Sequence, residues 1–223
     1  LPLPKLVRPD FSLIPKVVSF GRWVWLSSSL KYLVNQGDDI IVGKLVGTAP
    51  LGLYQNAFKI ASLPATEITS TLTQVTFPAF ASIQHDRSRL VRAFKKTLAL
   101  NILSNLPLII LITLFAQPLT LIIYGSQWLG LIPVLKILTL FGALRAFFTS
   151  FEAILVALGK PKTIAISNLI RFASLFILLL PLTNNFGIIG AAWSTVIAIL
   201  ISSVFLSIVT VIHLKSSPQI DNH

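Results

Sequence analysis

The sequence predicts an all-α polytopic membrane protein with about six transmembrane helices, and three observations carry that prediction. Of the 223 residues, 54% are hydrophobic and only 11% are charged, with a mean hydropathy of +0.84. A soluble domain is typically about 45–50% apolar and about 25% charged, so the bilayer has to serve as solvent for this excess. Second, the apolar runs 106–115 and 175–182 do not alternate, whereas barrel strands require alternation over segments of about 10 residues. Third, the basic residues sort to one side of a six-span arrangement.

The spans are expected near 22–46, 52–83, 98–124, 129–158, 163–183 and 188–213. The stretch 1–21 precedes them as a cytoplasmic linker, and 214–223 follows as a cytoplasmic tail. The connectors contain the usual helix breakers: Gly47, Pro50 and Gly52; the charged run from Gln84 to Lys96; Gly125; Gly159 and Pro161; and Gly187. With 1–21 placed inside, the four inner segments hold Lys5, Arg8, Lys16, Arg87, Arg89, Arg92, Lys95, Lys96, Lys160, Lys162 and Lys215, and the three outer loops hold no basic residue. This is the positive-inside pattern, and it places both termini in the cytoplasm of a multi-pass protein. Trp23, Trp25, Tyr54, Tyr124, Trp128 and Trp193 fall near span ends, where interfacial aromatics gather. Lys44 and Arg22 sit where long side chains snorkel to the interface.

The first two spans carry polar faces. At about 100° per residue, Ser27, Ser28, Lys31, Asn35, Asp38 and Asp39 share one arc of the first span. Gln55, Asn56, Lys59, Ser62, Thr66, Glu67, Thr69, Ser70, Thr73 and Gln74 share a broad arc of the second. That second span would be about 48 Å long as one helix, longer than a hydrocarbon core of about 30 Å, and Pro64 is the expected kink. A charge deep in a span costs about 2.5–3.5 kcal/mol even on a lenient scale, so these stripes must face a partner helix or a wet cavity. Further along, Asn101 and Asn105 form an i, i+4 pair, Arg145, Thr149 and Glu152 share a face, and Ser167, Arg171 and Ser174 form a short stripe. Lys136 points elsewhere. Lys31–Asp38 and Arg145–Glu152 can each be read as a structural ion pair, and the Ser/Thr run at 66–73 as interhelical hydrogen bonding. Gly43-x-x-x-Gly47 and the group Gly187, Gly190, Ala191 and Ala192 read as close-packing surfaces.

Several functions are excluded at this stage. A net charge of +11 without a solvated basic patch does not describe a nucleic-acid binder. The absence of Cys removes disulfides and thiolate metal sites. His85, His213 and His223 are scattered outside the spans. No zinc-protease, Walker or nucleophile-elbow motif occurs, so no enzyme activity, metal or cofactor is expected. No signal peptide is recognisable in residues 1–20, which hold Pro2, Pro4, Pro9 and Pro15. With no Met at any position, the chain is expected to begin inside a longer reading frame or to be a trimmed piece of a longer protein.

Five stretches carry a family resemblance: Phe20-Gly-Arg-Trp-Val-Trp, Asn35-Gln-Gly-Asp-Asp-Ile-Ile-Val-Gly, Leu51-Gly-Leu-Tyr-Gln-Asn-Ala, Leu63-Pro-Ala-Thr-Glu-Ile and Gln74-Val-Thr-Phe-Pro-Ala-Phe. Together they resemble the bacterial polysaccharide transporter family, the Wzx-type flippases of the multidrug/oligosaccharidyl-lipid/polysaccharide superfamily. The likeness is specific over 20–83 and topological over 84–213. It implies one six-helix half of a twelve-helix MATE-like transporter, the C-terminal half, whose partner is an N-terminal half. It also implies a function: moving undecaprenyl-pyrophosphate-linked oligosaccharide across the bacterial inner membrane for O-antigen or exopolysaccharide synthesis. The intramembrane cations Lys31, Lys59, Lys136, Arg145 and Arg171 outnumber Asp38, Asp39, Glu67 and Glu152. Lys31, Asn35, Lys59, Arg145 and Arg171 are therefore the candidate cavity lining toward a pyrophosphate. Asp38, Asp39, Glu67 and Glu152 are the candidates for charge pairing or for carrying coupling protons or sodium. The competing readings are a cation-coupled multidrug antiporter of the same superfamily and a non-transporting scaffold of polysaccharide assembly.

Overall fold

A computed structural model describes residues 14–83 and 86–216. The expected linker residues 1–13 with Lys5 and Arg8, His85, and the tail residues 217–223 with His223 lie outside the described residues.

The first helix, α1 (Ile14–Val46), begins inside the stretch expected to be linker. Gly47, at φ +85°, turns the chain into α2 (Thr48–Leu63). Gly47 thus serves as a turn residue, in a conformation that costs an L-residue with a Cβ, and not as half of a helix-packing pair. Pro64 lacks the amide hydrogen that would continue the α ladder. Five residues, Pro64–Ile68, wind as a π-helix before α3 (Thr69–Ser82) resumes the α pitch, so the second span is interrupted at the expected residue.

The charged connector expected over 84–96 is largely helical, because α4 (Arg87–Leu114) starts at Arg87. Asp86 caps it: its side chain accepts the Arg89 backbone N–H at 3.0 Å, and Arg and Lys are good helix formers once outside the bilayer. Two short elements follow, α5 (Ala116–Ile123) and a 3-10 turn (Ser126–Trp128). Then come α6 (Leu131–Ala157) and α7 (Pro161–Ser216).

The last element is a hairpin of two helical arms meeting at Gly187, the one residue of α7 with non-helical torsions (φ 58°, ψ −139°). A straight helix would hold residues 182 and 190 about 12 Å apart. Instead, a Cβ on Gly190 would collide with the Leu182 carbonyl. Ser167 on one arm also donates to the Ser202 carbonyl on the other at 3.2 Å. The two arms are the fifth and sixth expected spans, and the turn sits at the end of the predicted Thr183–Gly187 connector. Three helices among the described residues are long and apolar enough to cross a membrane: α4, α6 and the doubled-back α7. The two polar rods, α1 and α2–α3, complete six rods, and no strand occurs among the described residues.

Helix α6 is the hub, touching α2, α3, α4, α5 and α7, while α1 lies along α7. Two apolar clusters clamp the bundle at its ends. One gathers Val42, Tyr54, Leu131, Leu135, Leu138 and Phe141; the other gathers Phe80, Leu90, Phe94, Phe151, Ile154 and Leu206. At Gly142 the backbones of α6 and α2 approach so closely that a Cβ would overlap the Ala61 carbonyl oxygen. Between the clusters runs a polar layer, in which Asn101 donates to Ser150 at 2.6 Å and Asn105 to Thr69 at 3.3 Å, tying α4 to α6 and α3. Many outward faces are apolar: Trp25, Leu103, Leu114, Ile122 and Ile177 are all exposed, as lipid-facing helices require.

Candidate functional site

The polar faces of α1 and α2–α3 meet α6 and α7 around two adjoining cavities. The inner one, nearer the start of α1, has a volume of about 490 Å³ and is lined by Lys31, Asn35, Arg145, Glu152, Asn168 and Arg171 among others. The outer one, nearer the end of α1, has a volume of about 620 Å³, with Asp38, Asp39, Tyr54, Gln55, Lys59 and Glu67 in its wall. Asn35, Thr66 and Arg145 belong to both linings, so the two spaces form one trough. All nine residues singled out in the sequence lie on it, and Lys136 is exposed and lines neither cavity.

This distribution revises the charge count. Lys31, Arg145 and Arg171 against Glu152 give the inner cavity a formal +3 − 1 = +2. Lys59 and Arg145 against Asp38, Asp39 and Glu67 give the outer one +2 − 3 = −1. With Arg145 counted once, the trough holds four cations and four anions. The cationic surplus read from the sequence therefore belongs to the inner cavity alone.

Lys31–Asp38 and Arg145–Glu152, which the sequence allowed as structural ion pairs, are not in contact. Seven residues along a helix span about 10.5 Å, so neither pair meets unless both side chains extend toward each other along the helix. Lys31 instead reaches across the bundle, with its Nζ 2.6 Å from Glu152 Oε2. Neither Arg145 nor Arg171 has a carboxylate within 4.0 Å among the described residues. Arg171 is buried at 8% exposure. Its Cζ lies 5.3 Å from the centroid of the Phe141 ring, and its Nε finds no hydrogen-bond partner. An aromatic face compensates a guanidinium only in part, and a buried charge left without a partner is costly. The inner cavity therefore combines a positive formal charge with a buried guanidinium whose Nε is open.

The outer carboxylates are provided for. Tyr54 donates its hydroxyl to Asp38 Oδ2 at 2.9 Å and also lies 3.0 Å from Thr195 Oγ1, joining α1, α2 and α7. Asp38 is 3% exposed and also accepts the Asp39 N–H at 3.0 Å. Gln55 donates to Asp39 at 2.8 Å. Tyr54, expected at the membrane interface, is thus a core residue, 1% exposed. Its partnership with Asp38 was invisible to helical periodicity because the two sit on different helices. Asn168, which donates to Ser27 Oγ at 2.8 Å, was likewise missed; its signal was the stripe that continues to Arg171. Within 66–73, the hydroxyls of Thr66, Thr71 and Thr73 bond back to carbonyls of their own helix. Thr69 serves another helix, accepting from Asn105.

Comparisons with known proteins agree with this architecture. A sequence profile described as "Polysaccharide biosynthesis protein" matches residues 4–133. The chain is 29% identical over 160 residues to the lipopolysaccharide biosynthesis protein WzxC of Escherichia coli K12, covering 70% of this chain and 32% of that one. It is 26% identical over 200 residues to a putative O-antigen transporter of Shigella flexneri, covering 88% and 47%. Among solved structures, an outward-facing multidrug resistance MATE family transporter of the MOP superfamily superposes with a TM-score of 0.76 at 18% identity, over 92% of this chain and 46% of that chain. The chain spans less than half the length of the curated relatives it matches. The fold is therefore half of a MATE-like bundle in a multi-pass membrane protein.

Proposed function

The chain belongs to the polysaccharide biosynthesis protein family, and from that premise we propose that it forms the C-terminal half of a flippase. In this reading the whole transporter carries undecaprenyl-pyrophosphate-linked oligosaccharide across the bacterial inner membrane for O-antigen or exopolysaccharide assembly. The observation that carries the reading is the inner cavity: a net +2 lining in which Arg171 is buried and its Nε has no hydrogen-bond partner. A pyrophosphate supplies the missing anion. Arg171 and Arg145 engage it by charge-assisted hydrogen bonds, and Lys31 exchanges Glu152 for a phosphate oxygen. The outer cavity opens on the same trough and offers carboxylates and amides to sugar hydroxyls. The other half of the transporter closes the trough, and rocking of the two halves exposes it to alternate sides. Both termini face the cytoplasm in this reading. The role is transport and not catalysis.

Deleting the gene should abolish surface polysaccharide and leave lipid-linked repeat units in the inner leaflet. Normal polymer with no accumulation would overturn the reading. The net −1 outer cavity favours one second reading, a cation-coupled drug antiporter, in which Asp38, Asp39 or Glu67 carries the cation. Drug efflux driven by an imposed proton or sodium gradient, with no effect on polysaccharide, selects that alternative.

A further inference from the structure

A third cavity lies away from the trough, at the end of the bundle where α1 begins. It has a volume of about 640 Å³ and is walled by three segments far apart in sequence: Phe20 and Trp23 on α1, the turn into α7 with Lys160 and Lys162, and His213 near the end of α7. No carboxylate among the described residues lines it. Lys162 Nζ stands 5.5 Å from the centroid of the Trp23 ring, and Arg22 Cζ stands 5.6 Å from it. Arg22, Lys160 and Lys162 have no carboxylate within 4.0 Å among the described residues.

Lys160 and Lys162 line the cavity, Lys162 and Arg22 flank the Trp23 indole, and with no carboxylate in contact among the described residues they leave a positive potential that suits an external anion. Trp is a side chain of the membrane interface, with its ring at headgroup depth. On the same inner end of α1, Phe20, which lines the cavity, and Val24 one turn further on are exposed, an apolar flank beside the cavity. An anion bound here is therefore expected to carry hydrocarbon. Basic pockets between membrane helices on the cytoplasmic side are a recurring way to hold acidic lipid headgroups.

We propose that this cavity is a binding site for an anionic phospholipid of the inner leaflet. Lys160 and Lys162 hold the phosphodiester, Arg22 and Trp23 frame it, and the acyl chains lie along the exposed face of α1. By holding the inner ends of α1 and both arms of α7 to one headgroup, the lipid ties together the elements that also wall the inner cavity of the trough. The site is independent of the flippase reading.

The test is native mass spectrometry of the full-length protein in detergent with phosphatidylglycerol, phosphatidylcholine or undecaprenyl pyrophosphate added. Phosphatidylglycerol should be retained in preference to phosphatidylcholine. Retention should drop roughly fivefold for each lysine removed in Lys160→Gln and Lys162→Gln, while Lys95→Gln with Lys96→Gln on α4 leaves it unchanged. Equal retention of phosphatidylcholine by the wild-type protein overturns the site. So does an equal loss in the α4 variant, which means diffuse attraction. Stronger retention of undecaprenyl pyrophosphate, reversed by the same two substitutions, also overturns it and makes the cavity a substrate entrance.

Discussion

The two cavities of the trough share a wall and differ in how their charges are compensated. In the outer one, Asp38 and Asp39 receive hydrogen bonds from Tyr54 and Gln55, both carried on α2. In the inner one, Arg171 is buried with an unsatisfied Nε, and Arg145 has no carboxylate partner among the described residues. The outer region commits Asp38 and Asp39 to holding helices together, and the inner one keeps its two arginines open. A buried polar group that is satisfied stabilises the fold, whereas one left open destabilises it and serves only a ligand. The difference predicts opposite signs for substitutions in the two places.

Removing the Arg171 guanidinium should have the largest effect. If the inner cavity binds a pyrophosphate, Arg171→Ala lowers transport of the lipid-linked repeat unit roughly 10- to 100-fold, the worth of one or two charged hydrogen bonds. The thermal midpoint should hold or rise, because a buried charge with no carboxylate in contact has gone. Arg171→Lys should recover part of the transport. A variant that transports normally breaks the comparison at once. Next comes Tyr54→Phe, which leaves Asp38 and Thr195 each short of a hydrogen bond. The expected loss is about 1–3 kcal/mol of stability, seen as a lower unfolding midpoint, with transport per folded molecule largely retained. Were stability unchanged and transport abolished, the outer cavity would be the functional one.

Smaller effects sharpen the contrast. Glu152→Gln frees Lys31 from a partly exposed pair, so stability should change by less than about 1 kcal/mol. The inner cavity moves from +2 to +3, and an anionic head group should be held more tightly, lowering the apparent KM and slowing release. The smallest change lies outside both cavities. The Arg89 backbone N–H holds the exposed Asp86 carboxyl below the ordinary carboxylate range. A depressed value in the folded state means the cap contributes above about pH 4, the unfolded value. Its contribution is lost as pH falls through the lower folded value. Acidification should therefore fray the start of α4 in hydrogen exchange, and Asp86→Ala should remove that pH dependence while leaving transport at pH 7 intact.

Much of this was legible in the chain itself, for reasons that are local. Helicity and burial in lipid follow from unbroken apolar runs. Pro64 marks the interrupted rod because a missing amide acts within one turn. The polar stripes containing Lys31 and Asn35, and Lys59 and Glu67, follow from the 3.6-residue period, and those residues do line the trough. Which partner each charge meets was not legible. Periodicity put Lys31 and Asp38 on one face, but the tertiary packing gave Lys31 to Glu152, 121 residues away, and Asp38 to Tyr54. Lys136, already off the polar faces in the sequence, lines neither cavity, and the packing gathered the cationic surplus into one of them. Composition and period thus determined which residues are helical and which faces are polar, because those depend on neighbours within a turn or two. Pairing, and with it which charges are compensated and which stay open, was decided by how α6 and the α7 hairpin pack against α1 and α2. Contacts between helices depend on side-chain fit across the bundle, which no one-dimensional period contains.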